Sequence, residues 1–496
     1  MIVGKICFSG TLELKRPAII GSGKSENSDI DILRNSEGMA FIPATSFVGV
    51  LKNHIVENEE DKNLSDLFWG FSNENISEKQ SKKGELTTYQ SSLVCSDLNI
   101  KNKVTSKINT RDGIKIDASL GTVKDKSKYD YEIIESGTQF EFTFELPLLE
   151  LSEVGNKVQK DGKDLSSFKN ELIYYSKFMI VKINETLDSD IFSIGAKTNN
   201  GFGKIKLVNS NIQFYDYKNL KDILNSLKNS KNEKTISIEE LAKDENVRKY
   251  IDKNKTKTGF KIMATFAIEN SFIIRSYSNN PRDPDSVHIK STEGKNLLIG
   301  SSLKGAIRSR AEKILWTIGY DPAKEPWKNF FGHEGIEGIN REKMQAHKSR
   351  LSVTESFFEN KPNEELQSRI KIDRFTGGTI EGALFDSMPL FQNKDNTASV
   401  IFEINIRDFE NDRDKAAVGL LLLVLKDLWT GDLPIGGEKN VGRGRLRGVD
   451  ATITWDDKKV VLKSKDKEYN LADVIEGNWE ELEKFVSELN GLVGKS

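Results

Sequence analysis

An internal repeat limits what this chain can fold into more than any other feature of its sequence. Landmarks in the first half recur in the second in the same order. Thr45-Ser46, ahead of one apolar-striped stretch, is answered by Ser301-Ser302 ahead of another. Phe68-Trp69-Gly70 is answered by Phe330-Phe331-Gly332, and Leu93-Val94-Cys95 by Leu351-Ser352-Val353. Asp117-Ala118-Ser119-Leu120-Gly121 is answered by Asp373-Arg374-Phe375-Thr376-Gly377. Two glycine turns, Gly201-Phe202-Gly203 and Gly442-Arg443-Gly444, close the series. The helix start and the Asp-x-x-x-Gly loop share one offset, 256 residues. Landmarks in one order at nearly the same offset mark two tandem copies of a single domain. The copies are expected at residues 1–215 and 259–455. Residues 216–258 read as a charged, partly helical linker, and 456–496 as a charged tail with a helix from Asn478 to Leu489.

Each copy reads strand, helix, strands, strand, helix, strand. Period-two alternation predicts strands at 2–14, 139–146, 261–268 and 399–406. Helices are expected near 47–56, 166–186 and 412–429 and from Ser302 onward. The fold class is therefore α+β, as two tandem ferredoxin-like (RNA-recognition-module-like) domains with inserted loops. Such a sheet leaves a face or an edge for a single strand of nucleic acid.

Composition excludes several classes. The 73 basic and 75 acidic residues cancel, so any polyanion must be met by a local basic stripe. Two cysteines, Cys7 and Cys95, cannot form a disulfide framework and read as buried thiols. The four histidines (His54, His288, His333, His347) lack zinc-ligand spacing. The N-terminus lacks the build of a signal peptide, and the longest apolar run, Ala416 to Leu425, is too short to span a bilayer. A cytoplasmic protein with no membrane contact is the expectation.

Two kinds of anion site are visible. The stretch Gly300-Ser301-Ser302-Leu303-Lys304 opens a helix with N-cap candidates and the cations Lys304, Arg308, Arg310 and Lys313. Unpaired amides and the positive dipole end favour a phosphate there. Ser46 and Lys52 are the first copy's counterparts. The glycine turns are the second kind, because glycines let amides converge on an anion. Lys197 flanks Gly201 and Gly203; Lys439 and Arg443 flank Gly442 and Gly444. Neither turn is a Walker motif or a dinucleotide fingerprint. For each, a solvated turn or a capped surface helix is the alternative reading.

The chain resembles the RAMP superfamily (repeat-associated mysterious proteins) of CRISPR effector complexes, and within it the Cas-seven backbone subunits of type III systems. The residues that carry the resemblance are Ile299 to Arg308, Asp373 to Gly377 with Leu384-Phe385, and Gly436-Gly437 through Gly444. The first copy carries weaker versions, such as Ile42 to Gly49. Two copies in one chain resemble the fused backbone subunits of III-D-like complexes. The resemblance implies CRISPR guide RNA, complementary target RNA and other effector subunits as partners. It also implies that a loop aspartate ahead of the first helix cleaves target RNA with Mg2+ or another divalent cation. That aspartate is Asp29 in the first copy, five before Arg34, and Asp285 in the second, five before Lys290. They are separated by the same 256 residues, and Asp31 and Asp283 are neighbouring alternatives. Elementary chemistry agrees. A carboxylate holds a metal or takes a proton from the ribose 2′-hydroxyl, and cations such as Lys24, Arg34, Arg282 and Lys290 meet the phosphorane charge. His288, in the same loop, is a further acid–base candidate, whereas His54 reads as structural. A non-catalytic RNA-binding scaffold or capping subunit of the same assembly is the alternative, and a guide-processing ribonuclease a more distant one.

Overall fold

The computed structural model describes the chain apart from residues 1, 24–27, 57–60, 73–87, 102–107, 118–121, 150–158, 161–162, 165–167, 169–170, 190, 229–234, 255–258, 278–281, 334–346, 394–396, 466–471 and 493–496. Lys24 and the Ala118-Ser119-Leu120-Gly121 part of the first loop motif lie outside the described residues. Two compact units result. Unit 1 comprises Met1–Arg111, Asp130–Ala196 and Gly203–Lys257; unit 2 comprises Asp112–Tyr129, Lys197–Phe202 and Thr258–Ser496. Both mix strands and helices, and the α+β class holds.

In unit 1, alternation puts Ile6, Phe8 and Leu12 of β1 (Ile2–Leu14) on one buried face. The short strand β2 (Phe41–Ile42) leads into α1 (Ala44–Val56), whose Phe47, Leu51 and Ile55 make one stripe at helical spacing. Helix α2 (Lys62–Trp69) and strand β3 (Leu98–Ile100) follow. Strands β4 (Ile108–Gly113) and β5 (Tyr129–Ile134) pair as a separate ribbon, then β6 (Gln139–Leu149), α3 (Leu172–Asp188) and β7 (Ile205–Asp216) complete the copy. The main sheet has the order β7-β1-β6-β3-β2. Phe142 on β6 meets Phe8 edge-on at 5.2 Å, and Phe47 of α1 stacks on Phe144 at 5.9 Å. Gly10 lies under Phe142, where a Cβ would fall 2.8 Å from the ring.

Residues 216–257 differ from the expected linker. They form α4 (Leu220–Leu227), α5 (Ile238–Lys243) and α6 (Glu245–Lys253), and they group with unit 1. Helices α5 and α6 pack on α3. Leu241 and Val247 are buried, and the Tyr250 ring meets Tyr175 at 5.5 Å. A few apolar residues at helical spacing suffice to dock short helices whose other faces are charged, which is why composition alone reads as a linker.

In unit 2 the same plan recurs. Strand β8 (Phe260–Ile268) is followed by the short β9 (Arg275–Ser276), β10 (Ser286–His288) and β11 (Leu297–Leu298). Helices α7 (Gly300–Thr317) and α8 (Trp327–Phe331) come next, then β12 (Leu351–Val353) and β13 (Ser356–Glu359). A long hairpin, β14 (Gln367–Ile372) and β15 (Thr379–Met388), precedes β16 (Ser399–Ile406), α9 (Asn411–Trp429) and β17 (Leu446–Trp455). The charged tail adds two strands, β18 (Lys458–Ser464) and β19 (Ala472–Glu476), ahead of the helix expected there, α10 (Trp479–Leu492). The sheet order is β11-β13-β16-β8-β17-β18-β19, with β12 also on β16. Helix α10 buries Leu482, Phe485 and Leu489 and crosses α9 at Gly419, where a Cβ would lie 2.2 Å from the Phe485 carbonyl. Strand β1 slips register against β7 between Thr11 and Leu12, and β8 slips against β17 between Thr265 and Phe266. The duplication thus keeps even its bulge.

Candidate nucleic-acid interface

Each loop aspartate is laid along a ribbon strand by a short parallel contact. In unit 1, Ile30 bridges Tyr131 in parallel; in unit 2, Ser286 pairs with Ser387 in parallel. This brings the Asp29 carboxylate to the Asp130 amide, which donates to Asp29 Oδ2 at 3.3 Å. The Asp386 amide donates to Asp285 Oδ2 at 2.9 Å. Both contacts span 101 residues of chain. In unit 1 the contact is returned, with the Asp29 amide donating to Asp130 Oδ1 at 2.9 Å. In unit 2, Asp386 Oδ1 is buried and lacks a hydrogen-bond partner. The amide that meets each candidate carboxylate thus belongs to another aspartate, Asp130 or Asp386. Neither Asp130 nor Asp386 is among the residues expected from the sequence. Their equal spacing behind Asp29 and Asp285 is the signal that could have found them.

The alternatives and flanking cations are also placed. Asp31 Oδ1 accepts from the Ser28 hydroxyl at 2.5 Å, whereas Asp283 is exposed. Arg34 forms a two-pronged pair with Glu132 at 2.9 Å on both prongs. That bond raises the arginine above its ordinary pKa and holds the Glu132 carboxyl below the usual range. Lys290 pairs with Glu364 at 2.7 Å. Both cations thus already carry a counter-charge. Arg282 is exposed.

His288 is not an acid–base group. It is 2% exposed. Nδ1 accepts from the Ile274 amide at 3.1 Å, and Nε2 donates to the Leu297 carbonyl at 2.8 Å. Burial pushes its pKa down to about 3, so the ring stays neutral and joins two strands. His54 stacks edge-on against Phe192 at 5.5 Å, the structural role expected of it.

The two helix starts are equivalent in position and different in chemistry. In unit 1 the carboxylate of Asp97 accepts from the Ala44 amide at 2.8 Å, so α1 carries its own anion. Ser46 is exposed on its first turn. In unit 2 the N-cap is Ile299, with no side-chain cap, and Ser301 and Ser302 lie inside α7 rather than capping it. The Asn200 carbonyl lies against Gly300. Lys304 is partly buried beside Arg308, Arg407 and Lys348. Burial first, and then those cations, push its pKa down to about 7. A crowded cation is relieved by a bound anion. Lys52 and Arg308 share a second duty. Lys52 Nζ donates to the Gly70 carbonyl at 3.2 Å, and Arg308 donates to the Phe331 and Gly332 carbonyls at 3.4 Å. Each holds the C-terminal end of the following short helix, and Arg308 also pairs with Glu312 at 2.7 Å.

The glycine turns are packed tighter than expected. Gly201 and Gly203 are buried, and a Cβ on Gly201 would fall 2.3 Å from the Glu355 amide. Lys197 reaches the Tyr129 hydroxyl at 3.2 Å, with its ammonium 4.4 Å from the ring centre. Burial lowers its pKa to about 8. In the second turn Gly442 is exposed with open space around it, and Lys439 is exposed beside it. Gly444 is buried against Ile435. Arg443, expected as a surface contact, is 2% exposed and pairs with Glu438 at 3.1 Å.

Beside the loop aspartates stand the ribbons. Hairpin β14–β15 exposes Ile370, Ile372, Leu384 and Phe385, and at its tip Phe375 is 99% exposed. The tip is a turn in which Asp373 Oδ1 accepts from the Phe375 amide at 2.8 Å. On the first copy's ribbon, Ile114, Ile116 and Val123 are exposed. An apolar, solvent-facing finger marks an interaction surface.

A model of the RAMP superfamily matches residues 11–206 and 265–447, well over half of the chain and one match per copy. The chain belongs to the RAMP superfamily. Membership places it among CRISPR-associated RNA-binding proteins, which work in RNA–protein complexes. No curated protein matches it. Among the described residues no helix is long and apolar enough to cross a membrane, and no group of three or more His, Cys, Asp or Glu is placed to hold a metal ion.

Proposed function

We infer that this RAMP protein is a backbone subunit of a type III, III-D-like effector complex. It binds guide RNA and cuts complementary RNA once in each unit. The observation that carries this reading is the repeated carboxylate–amide contact, Asp29 with Asp130 and Asp285 with Asp386. A solvated loop carboxylate has no reason to keep the same partner in both copies. The last–first–third–second strand order β7-β1-β6-β3 further supports a ferredoxin-like core. The exposed fingers suit insertion between stretches of a guide–target duplex.

In the proposed reaction the 2′-hydroxyl gives up its proton and its oxygen bonds to the adjacent phosphorus. The bond from phosphorus to the 5′-oxygen breaks and that oxygen takes up a proton from water, leaving a cyclic phosphate and a 5′-hydroxyl. Asp29 or Asp285 orients the hydroxyl or takes its proton. Mg2+ suits the donor set, because it is commonly held by one or two carboxylates plus substrate phosphates, and it would supply charge neutralisation at phosphorus. Asp29 with Asp130, and Asp285 with Asp386, are the residues that would hold it.

The scaffold reading is favoured by one observation, that Arg34 and Lys290 are already paired with carboxylates. The two readings part in an assembled complex given complementary RNA and Mg2+. Cleavage lost in Asp29→Ala/Asp285→Ala, with guide retained, supports the nuclease; undiminished cleavage leaves the scaffold.

A further inference from the structure

The second glycine turn contains a charge arrangement that the loop chemistry does not use. Glu438, in a left-handed conformation at φ 54°, sits just ahead of the turn with its side chain 6% exposed. Three guanidinium groups converge on it: Arg369 at 2.7 Å, Arg275 at 3.0 Å and Arg443 at 3.1 Å. One carboxylate cannot neutralise three arginines, so the node keeps an excess of two positive charges. Arg443 is the buried member. Its Nη2 donates to Gln367 Oε1 at 2.5 Å and contacts Ser387 Oγ at 3.5 Å, while its Nη1 is buried without a hydrogen-bond partner. Burial, then the other two arginines against the pull of Glu438, leave its pKa lowered. Ser286 Oγ, on the residue that pairs with Ser387, is also buried and unpartnered. Unmet donors together with excess charge mark a place for a second anion.

The node is approachable. The Arg275 side chain is 50% exposed and that of Arg369 29% exposed. Gly442 stands beside Arg443 with no atom within 4 Å of where a Cβ would be. Ser286 and Ser387 tie the node to the strands that hold Asp285 and Asp386. Planar forks of arginine match phosphate oxygens in pairs.

We propose that Arg275, Arg369 and Arg443 form a phosphodiester site for single-stranded RNA at the base of the β14–β15 hairpin, with Glu438 as a resident counter-ion that the phosphate joins or displaces. This rests on the RNA-binding reading above and adds to it a gate. The carboxylate keeps the arginines ordered without RNA and weakens RNA binding by competing for them.

The test is binding of a labelled single-stranded RNA to the full chain, measured by anisotropy over a range of salt. Arg275→Ala and Arg369→Ala change partly exposed side chains, and thermal melts confirm that they fold. Each is expected to weaken binding several-fold and to reduce the salt slope by about 1. Glu438→Gln is expected to tighten binding several-fold and steepen the slope. Unchanged RNA affinity in all three variants overturns the site while leaving RNA binding elsewhere intact. No RNA binding by the unaltered chain overturns the underlying reading as well. Inorganic phosphate that raises the melting temperature of the unaltered chain but not of Arg275→Ala, with RNA affinity equal in both, assigns a free anion and overturns the RNA source.

Discussion

The two copies keep one scaffold and differ in where they place charge. Both lay a loop aspartate on a ribbon-strand amide, and both let a cation hold the end of a short helix. They differ at the first helix and at the glycine turn. Helix α1 starts on the carboxylate of Asp97, whereas α7 starts without a side-chain cap and sets Lys304 among cations. Ahead of the first turn a lysine rests on a tyrosine ring; ahead of the second, a glutamate gathers three arginines. Positions that build the loop platform are held in common, and the charged positions at the first helix and the glycine turn have diverged. A duplicated chain can divide labour in this way without changing its fold.

The largest effect tests the shared part. Phe142→Ala in unit 1 and Phe402→Ala in unit 2 each remove a buried ring opposite the first strand of the copy. Each should cost about 3–5 kcal/mol in urea unfolding. If the units are independent, each variant shifts one transition and leaves the other in place. A common shift of both would show that the copies fold as one cooperative block.

The next effect separates the copies. Lys304 should carry its charge below about pH 7 and lose it as pH rises through that value. RNA affinity measured at pH 6 should therefore exceed that at pH 8.5 by a few-fold, about what one phosphate contact contributes. Lys304→Gln should flatten this dependence. The first copy has Val48 at the matching place, so substitution there should leave the pH profile alone. A profile that survives Lys304→Gln would remove α7 from the account.

The smallest effect concerns α1. Asp97→Ala should cost about 1 kcal/mol, the usual value of a lost helix-start acceptor. It should also make the first helix resemble the second by uncovering its amides. Unchanged stability in a thermal melt would mean that water replaces the carboxylate.

What the sequence made legible follows from what is local or repeated. The strands could be read because their alternation is written in neighbouring residues, as in Phe140, Phe142 and Phe144. The loop aspartates are picked out by the family resemblance, and the repeat only adds that they stand at one offset. Residues 216–257 misled because Leu241, Val247 and Tyr250 are sparse among charges, and only docking on α3 reveals their use. Strands β18 and β19 went unread for a similar reason, since they extend the sheet beyond the repeat. Arg443 looked like a surface cation because its partners lie far away in the chain, at Gln367 and Ser387. Its place in the loop makes His288 an acid–base candidate in the sequence, but both ring nitrogens are held by backbone groups. Charge in a sequence gives the type of residue but not its burial, and burial decides its role.

The claim that matters most is that the repeated aspartates are two equivalent and separate cutting sites. It is tested by mapping cut positions on one target RNA in the assembled complex with Mg2+. Asp29→Ala should erase one cut and Asp285→Ala a different one, each leaving the other at full strength with guide RNA bound. Both cuts persisting in either single variant, or both vanishing together while guide binding holds, would contradict it.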